Sequence, residues 1–81
     1  MKIKVKLFAS YREAMGKEEL ELDIKEKTDV KGLLDILRKS EPALGNLTET
    51  VIVSVNKEYA TYGTILKDKD KVALLPPVSG G

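Results

Sequence analysis

The sequence predicts an α+β fold: one mixed sheet with a single main helix packed on one of its faces. Three observations carry that expectation. Apolar and charged residues alternate in MKIKVKLF at the N-terminus and again in EELELDIK, residues 18–25. Both have the period of half-buried strands. A helical stripe at i, i+3, i+4 and i+7 follows at Val30, Leu33, Leu34 and Leu37. Two further strand-like runs, VIVSV at 51–55 and KVALL at 71–75, come after the stripe.

Each element can be justified in order. In the first strand Ile3, Val5 and Leu7 fall on one side, and Lys2, Lys4 and Lys6 fall on the other, the wet face of an antiparallel sheet. Ser10-Tyr11-Arg12-Glu13 fits a capping box for a helix of one or two turns that Gly16 ends. The second strand turns Leu20, Leu22 and Ile24 inward and Glu19, Glu21 and Asp23 outward. If it returns antiparallel to the first, its acidic row lies beside the lysine row, a favourable cross-strand arrangement. Thr28 is expected to cap the main helix, with Asp29 as its first residue at the positive end of the dipole. Ser40-Glu41-Pro42 closes that helix, because a residue before proline is pushed out of helical geometry, and a loop runs to about Thr50. VIVSV is short and β-branched enough for a central strand, and Asn56-Lys57 turns the chain into a brief strand around Tyr59. Lys67-Asp68-Lys69-Asp70 reads as a polar turn delivering the last strand, Lys71 to Leu75. Pro76 and Pro77 then end sheet pairing while keeping the chain extended. This order of elements is that of the ubiquitin-like β-grasp, in which the last strand lies parallel beside the first at the centre of the sheet. The chain accordingly divides into a β-grasp domain, residues 1–75, and an extended tail, residues 76–81, that carries Gly80-Gly81.

Composition narrows the function classes. At 81 residues there is room for one small domain. Charge is balanced, 14 Lys+Arg against 13 Asp+Glu, so no strong field favours nucleic acid or an anionic membrane. Cysteine and histidine are absent, which removes disulfides, thiol nucleophiles and the usual zinc constellations. No side chain has an unperturbed pKa near neutrality. The chain is therefore not expected to be an enzyme by itself, nor to hold a metal or a permanently bound cofactor. Its longest apolar run, Val72 to Val78, contains two prolines, and lysines interrupt the N-terminal segment where a signal sequence needs an apolar stretch. A cytoplasmic location is expected.

The tail has chemistry of its own. Two glycines and a carboxylate, lacking β-carbons, can thread a channel where any side chain would collide. A C-terminal carboxylate is ionised at neutral pH and is a poor electrophile until one oxygen becomes a leaving group, which adenylation with ATP provides. The acyl adenylate can then be attacked by sulfur to give a thiocarboxylate, or by a thiol and finally an amine to give an isopeptide. The residues leave both fates open. A merely frayed end is the plainer reading, but it does not explain Leu74-Leu75-Pro76-Pro77-Val78 directly before the glycines, since contiguous exposed apolar residues mark contact sites.

A family resemblance runs over essentially the whole chain. Phe8-Ala9, Arg12-Glu13 and Gly16 follow the first strand, Val55-Asn56 sits in the middle, and Asp70-x-Val72-Ala73 leads into Leu75-Pro76-Pro77-Val78-Ser79-Gly80-Gly81. In these features the chain resembles the small, sulfur-carrying subunit of molybdopterin synthase. Leu74 and Leu75 stand where many relatives have aromatics, keeping an apolar anchor before the prolines. The resemblance implies that a ubiquitin-activating-like adenylyltransferase uses ATP to adenylate Gly81, and that a sulfurtransferase system converts it to a thiocarboxylate. The tail then enters the large synthase subunit and gives up its sulfur to cyclic pyranopterin monophosphate, two transfers being needed for each molybdopterin dithiolene. The usual family complex is a heterotetramer of two large and two small subunits.

Gly81 is thus the implied reaction site, with Gly80, Ser79, Val78, Pro77, Pro76, Leu75, Phe8 and Arg12 as implied partner-binding residues. Plainer readings exist for several. Pro76, Pro77 and Leu75 can serve strand termination, Phe8 the core or an interface rim, and Arg12 simple solvation near a helix cap. Three other functions share features of this pattern: an archaeal ubiquitin-like modifier joined through Gly81 to lysines, a thiamine-pathway sulfur carrier, and a β-grasp interaction module that needs no free diglycine.

Overall fold

A computed structural model describes residues 1–44 and 51–77 of the chain. The elements are β1 (Lys2–Leu7), α1 (Ala9–Met15), β2 (Glu19–Asp23), α2 (Val30–Ser40), a short 3-10 turn (Pro42–Leu44), β3 (Ile52–Val55), β4 (Glu58–Tyr59) and β5 (Lys71–Leu75). The five strands form one sheet in the order β2-β1-β5-β3-β4. β1 and β5 run parallel at its centre, and the remaining neighbours are antiparallel. The predicted α+β, ubiquitin-like architecture is therefore the observed one.

Alternation in β1 sorts its side chains as expected: Ile3, Val5 and Leu7 are buried, while Lys2, Lys4 and Lys6 are exposed. Register sets Lys2 opposite Asp23, Lys4 opposite Glu21 and Lys6 opposite Glu19. Three opposite-charge pairs directly across a two-strand ladder favour this register over its alternatives. The Lys4 ammonium also comes within 3.8 Å of the Glu19 carboxylate.

Both helix caps differ from the expectation. α1 begins one residue before Ser10, with Phe8 as an extended N-cap that makes no side-chain capping bond, and Ala9 at a φ of 50°. Ser10 lies within the first turn, so the capping box does not form. The chain turns as soon as the β1 ladder ends at Leu7, and this early start lets α1 bury Tyr11 against the core. Gly16 ends the helix as expected, in the left-handed region at φ 67°, its amide donating to Arg12 O.

For α2 the cap is Asp29, whose Oδ1 accepts from Gly32 N at 2.8 Å. Thr28 instead donates its hydroxyl hydrogen to Lys25 O. The shift has a tertiary cause: Asp29 forms an antiparallel bridge with Ile65 and is held extended, so the helix cannot start before Val30. Val30, Leu33, Leu34 and Leu37 are buried in one cluster with Ile3, Val5, Leu7, Val72 and Leu74. Burying each of these aliphatic side chains contributes about 1.5–3 kcal/mol. Ser40 is the last helical residue and Glu41, before Pro42, has left helical geometry, as the proline requires.

Asn56 and Lys57 join β3 to β4 with φ of 52° and 71°. Two successive positive φ values define the tight hairpin turn whose twist matches that of the flanking strands.

Candidate functional site

The site follows from where β5 ends. β5 lies between β1 and β3, with Leu7 opposite Leu74 on one side and Ile52 opposite Leu75 on the other. Leu74 is fully buried, Leu75 and Pro76 are half-buried, and Pro77 is exposed. Burial thus falls off residue by residue along the start of the tail, from the best-anchored strand of the sheet into solvent. The apolar segment divides accordingly: Leu74 is core, while Leu75 and Pro76 keep part of their surface open to solvent. The predicted site residues Val78, Ser79, Gly80 and Gly81 lie outside the described residues.

Phe8 directly follows β1, so it sits beside the end of β5 and is 36% exposed. It shares an open groove with Leu75 and Ala73 of β5, Lys4 and Lys6 of β1, and Tyr59 of β4. The groove is the sheet face opposite α2. Phe8 therefore stands at the rim of the groove and outside the core, and the fold brings it together with Leu75. Arg12 is exposed on α1 and is not among the residues that line the groove.

Sequence reasoning missed most of this face. Alternation marked Lys4 and Lys6 as wet, but only the strand order places them beside Lys71, Lys57 and an 89% exposed Tyr59. The face offers ammonium groups around aromatic and aliphatic patches, with Glu19 at one margin. That composition suits an interface with a protein surface that is apolar at its centre and acidic at its edge. Elsewhere, burial pushes the Tyr11 hydroxyl pKa upward from its ordinary value. Among the described residues, no group of three or more acidic side chains is arranged to hold a metal ion, and no helix is long and apolar enough to cross a membrane.

A family model for the ThiS family matches residues 5–81. The chain belongs to the ThiS family. This ThiS-family chain is 36% identical over 81 residues to the molybdopterin synthase sulfur carrier subunit of Arabidopsis thaliana, covering 100% of itself and 84% of that relative. Its structure is similar to that of SAMP1, a small archaeal modifier protein from Haloferax volcanii, at a TM-score of 0.86 and 34% identity, with both chains covered in full. It is also similar, at a TM-score of 0.71 and 29% identity with full coverage of both chains, to a chain in the complex of subunits 1 and 2 of the molybdopterin-converting factor from Helicobacter pylori.

Proposed function

We propose that the chain is the sulfur carrier of a molybdopterin synthase, with Gly81 as the reacting residue. One observation carries this reading. The strand that leads to the diglycine is held at the centre of the sheet, in a chain 36% identical along its whole length to a molybdopterin synthase sulfur carrier subunit. A central strand with partners on both sides is the best-held support the fold can give an extended tail.

The Gly81 carboxylate attacks the α-phosphorus of ATP, forming the acyl adenylate and releasing pyrophosphate. A persulfide sulfur from a sulfurtransferase attacks the Gly81 carbonyl carbon and displaces AMP. A second protein thiol then cleaves the resulting acyl disulfide, forming a disulfide with the sulfurtransferase cysteine and leaving the thiocarboxylate on the carrier. In the large subunit that sulfur is passed to cyclic pyranopterin monophosphate, and water replaces it on the Gly81 carbonyl carbon, regenerating the carboxylate. The carrier is thus a co-substrate, and no catalytic side chain of its own is needed. Leu75, Pro76 and Phe8 form the apolar edge that docks beside the tail, consistent with the subunit complex known for the Helicobacter relative. The activating enzyme, the sulfurtransferase, ATP and a cytoplasmic setting belong to this reading.

Reconstitution tests it: thiocarboxylated chain, purified large subunit and the pterin precursor should yield molybdopterin at two carriers consumed per product. Full thiocarboxylation with no product from the precursor would refute the synthase assignment.

A second reading is favoured by the similarity to SAMP1. There Gly81 is joined through the same adenylate to lysine amines of other proteins. Isopeptide-linked Gly81 on lysine side chains in native extracts would establish that role, and their absence from cells making the chain would exclude it.

A further inference from the structure

We propose that Asn56 and Asp70 form a positioning clip that selects the register of β5 and so sets how far the tail reaches. The importance of that reach rests on the sulfur-carrier reading above. The two residues belong to separate motifs, Val55-Asn56 and Asp70-x-Val72, 14 positions apart, and neither takes part in the chemistry assigned to the tail.

The bonds form a closed set. Asn56 N donates to Lys71 O at 2.8 Å and Asn56 Oδ1 accepts from Lys71 N at 3.0 Å, so one residue grips both backbone groups of the first residue of β5. Asn56 Nδ2 donates to Asp70 Oδ1 at 2.9 Å, and Asp70 Oδ2 accepts from Lys67 N at 2.8 Å. Because Lys71 N is a donor, only one orientation of the Asn56 amide satisfies both neighbours. Asp70 is 9% exposed and is the one buried polar or charged residue among the described residues. A buried carboxylate must have its hydrogen bonds satisfied, and Asp70 satisfies both oxygens only where Asn56 and Lys67 N meet it, which ties it to one placement of the strand.

Register is what β5 needs fixed. A slip of one residue would turn Val72 and Leu74 to the open face, so burial alone opposes it. A slip of two residues toward the tail keeps the alternation and would lengthen the tail's reach by about 6.6 Å. That slip would put Asp70 into the buried place of Val72 and break the three bonds that join Asn56 to Lys71 and Asp70, while the bond from Lys67 N to Asp70 travels with the turn. Asp70 is therefore the backstop of the strand, and Asn56 is the hook that holds it.

The test is a reciprocal exchange in the full chain. The double variant Asn56→Asp/Asp70→Asn keeps every bond: the new carboxylate at 56 accepts from Lys71 N and from the new amide at 70, whose oxygen accepts from Lys67 N. Asn56→Asp alone sets two carboxylates against each other, and Asp70→Asn alone aims an amide N–H at the Lys67 N–H. Cross-strand NMR contacts between β1 and β5 read register directly. Each single variant should show a second set displaced by two residues, with the Lys71 amide exchanging faster by roughly tenfold or more. With thiocarboxylated chain and the large subunit, each single variant should lower kcat/KM by about tenfold, and the exchange should restore both kcat/KM and the single wild-type register. Singles that keep one register and wild-type kcat/KM would overturn the proposal, as would a folded double variant that fails to restore them. If a single variant does not fold, the double variant decides: it must fold with the wild-type register. Should the wild-type chain transfer no sulfur, the carrier reading fails, while the register contacts still test the clip.

Discussion

Leu74 and Leu75 are neighbours with separate tasks, and substitution should tell them apart. Leu74 is fully buried between β1 and β3, so Leu74→Ala is expected to destabilise the fold by about 2–5 kcal/mol in urea unfolding. Leu75 is half-buried at the edge of the groove. Leu75→Asp should leave a folded chain by circular dichroism and weaken binding to the large subunit at least about tenfold, the loss of one docked aliphatic side chain. Unchanged affinity in the folded variant would remove Leu75 from the interface. Tyr11 gives a pH signature. Burial raises the pKa of its hydroxyl above the ordinary 10.0, so the folded chain keeps a proton that the unfolded chain releases. That contribution is fully present below about pH 10 and is lost as pH rises through the folded-state value. Tyr11→Phe should flatten the alkaline end of the stability profile, and a profile unchanged by the substitution would contradict the burial argument.

At the scale of elements, the two caps make a paired prediction. Asp29→Ala removes the bond to Gly32 N and should cost about 1 kcal/mol of stability, whereas Ser10→Ala, inside the first turn of α1, should change it by less than about 0.5 kcal/mol. Equal losses would reinstate the capping box. The same two sites show what local sequence can and cannot tell. Strand alternation, the α2 stripe, Gly16, Pro42 and the Asn56-Lys57 turn were legible because each depends on a period or on a backbone preference of the residues themselves. The caps moved because of contacts distant in sequence, the end of the β1 ladder for α1 and the bridge to Ile65 for α2. For the same reason Asp70 read as part of a polar turn, although the fold buries it against Asn56 and Lys67 N. The groove was illegible too, since Phe8, Lys4, Tyr59 and Leu75 meet only through strand order.

For the whole molecule, the proposed function sets a packed centre apart from the chain end that it assigns to the chemistry. The core of β1, β5 and α2 supplies stability, and the tail supplies reach, so the two should separate cleanly under truncation. Deleting Gly81 should leave the thermal midpoint nearly unchanged, because terminal residues beyond two prolines add little to the cooperative unit. Sulfur transfer should fall by at least about a hundredfold, because the acyl group retracts by about 3.3 Å and displacements of about 1 Å already defeat near-attack geometry. A truncated chain that still supported transfer would refute a role for tail length. The most direct measurement is the mass of the C-terminal peptide after incubation of the chain with its activating enzyme, ATP and a sulfur source. The account predicts one oxygen-to-sulfur exchange located at Gly81; an unmodified Gly81, or sulfur found on any other residue, would contradict it.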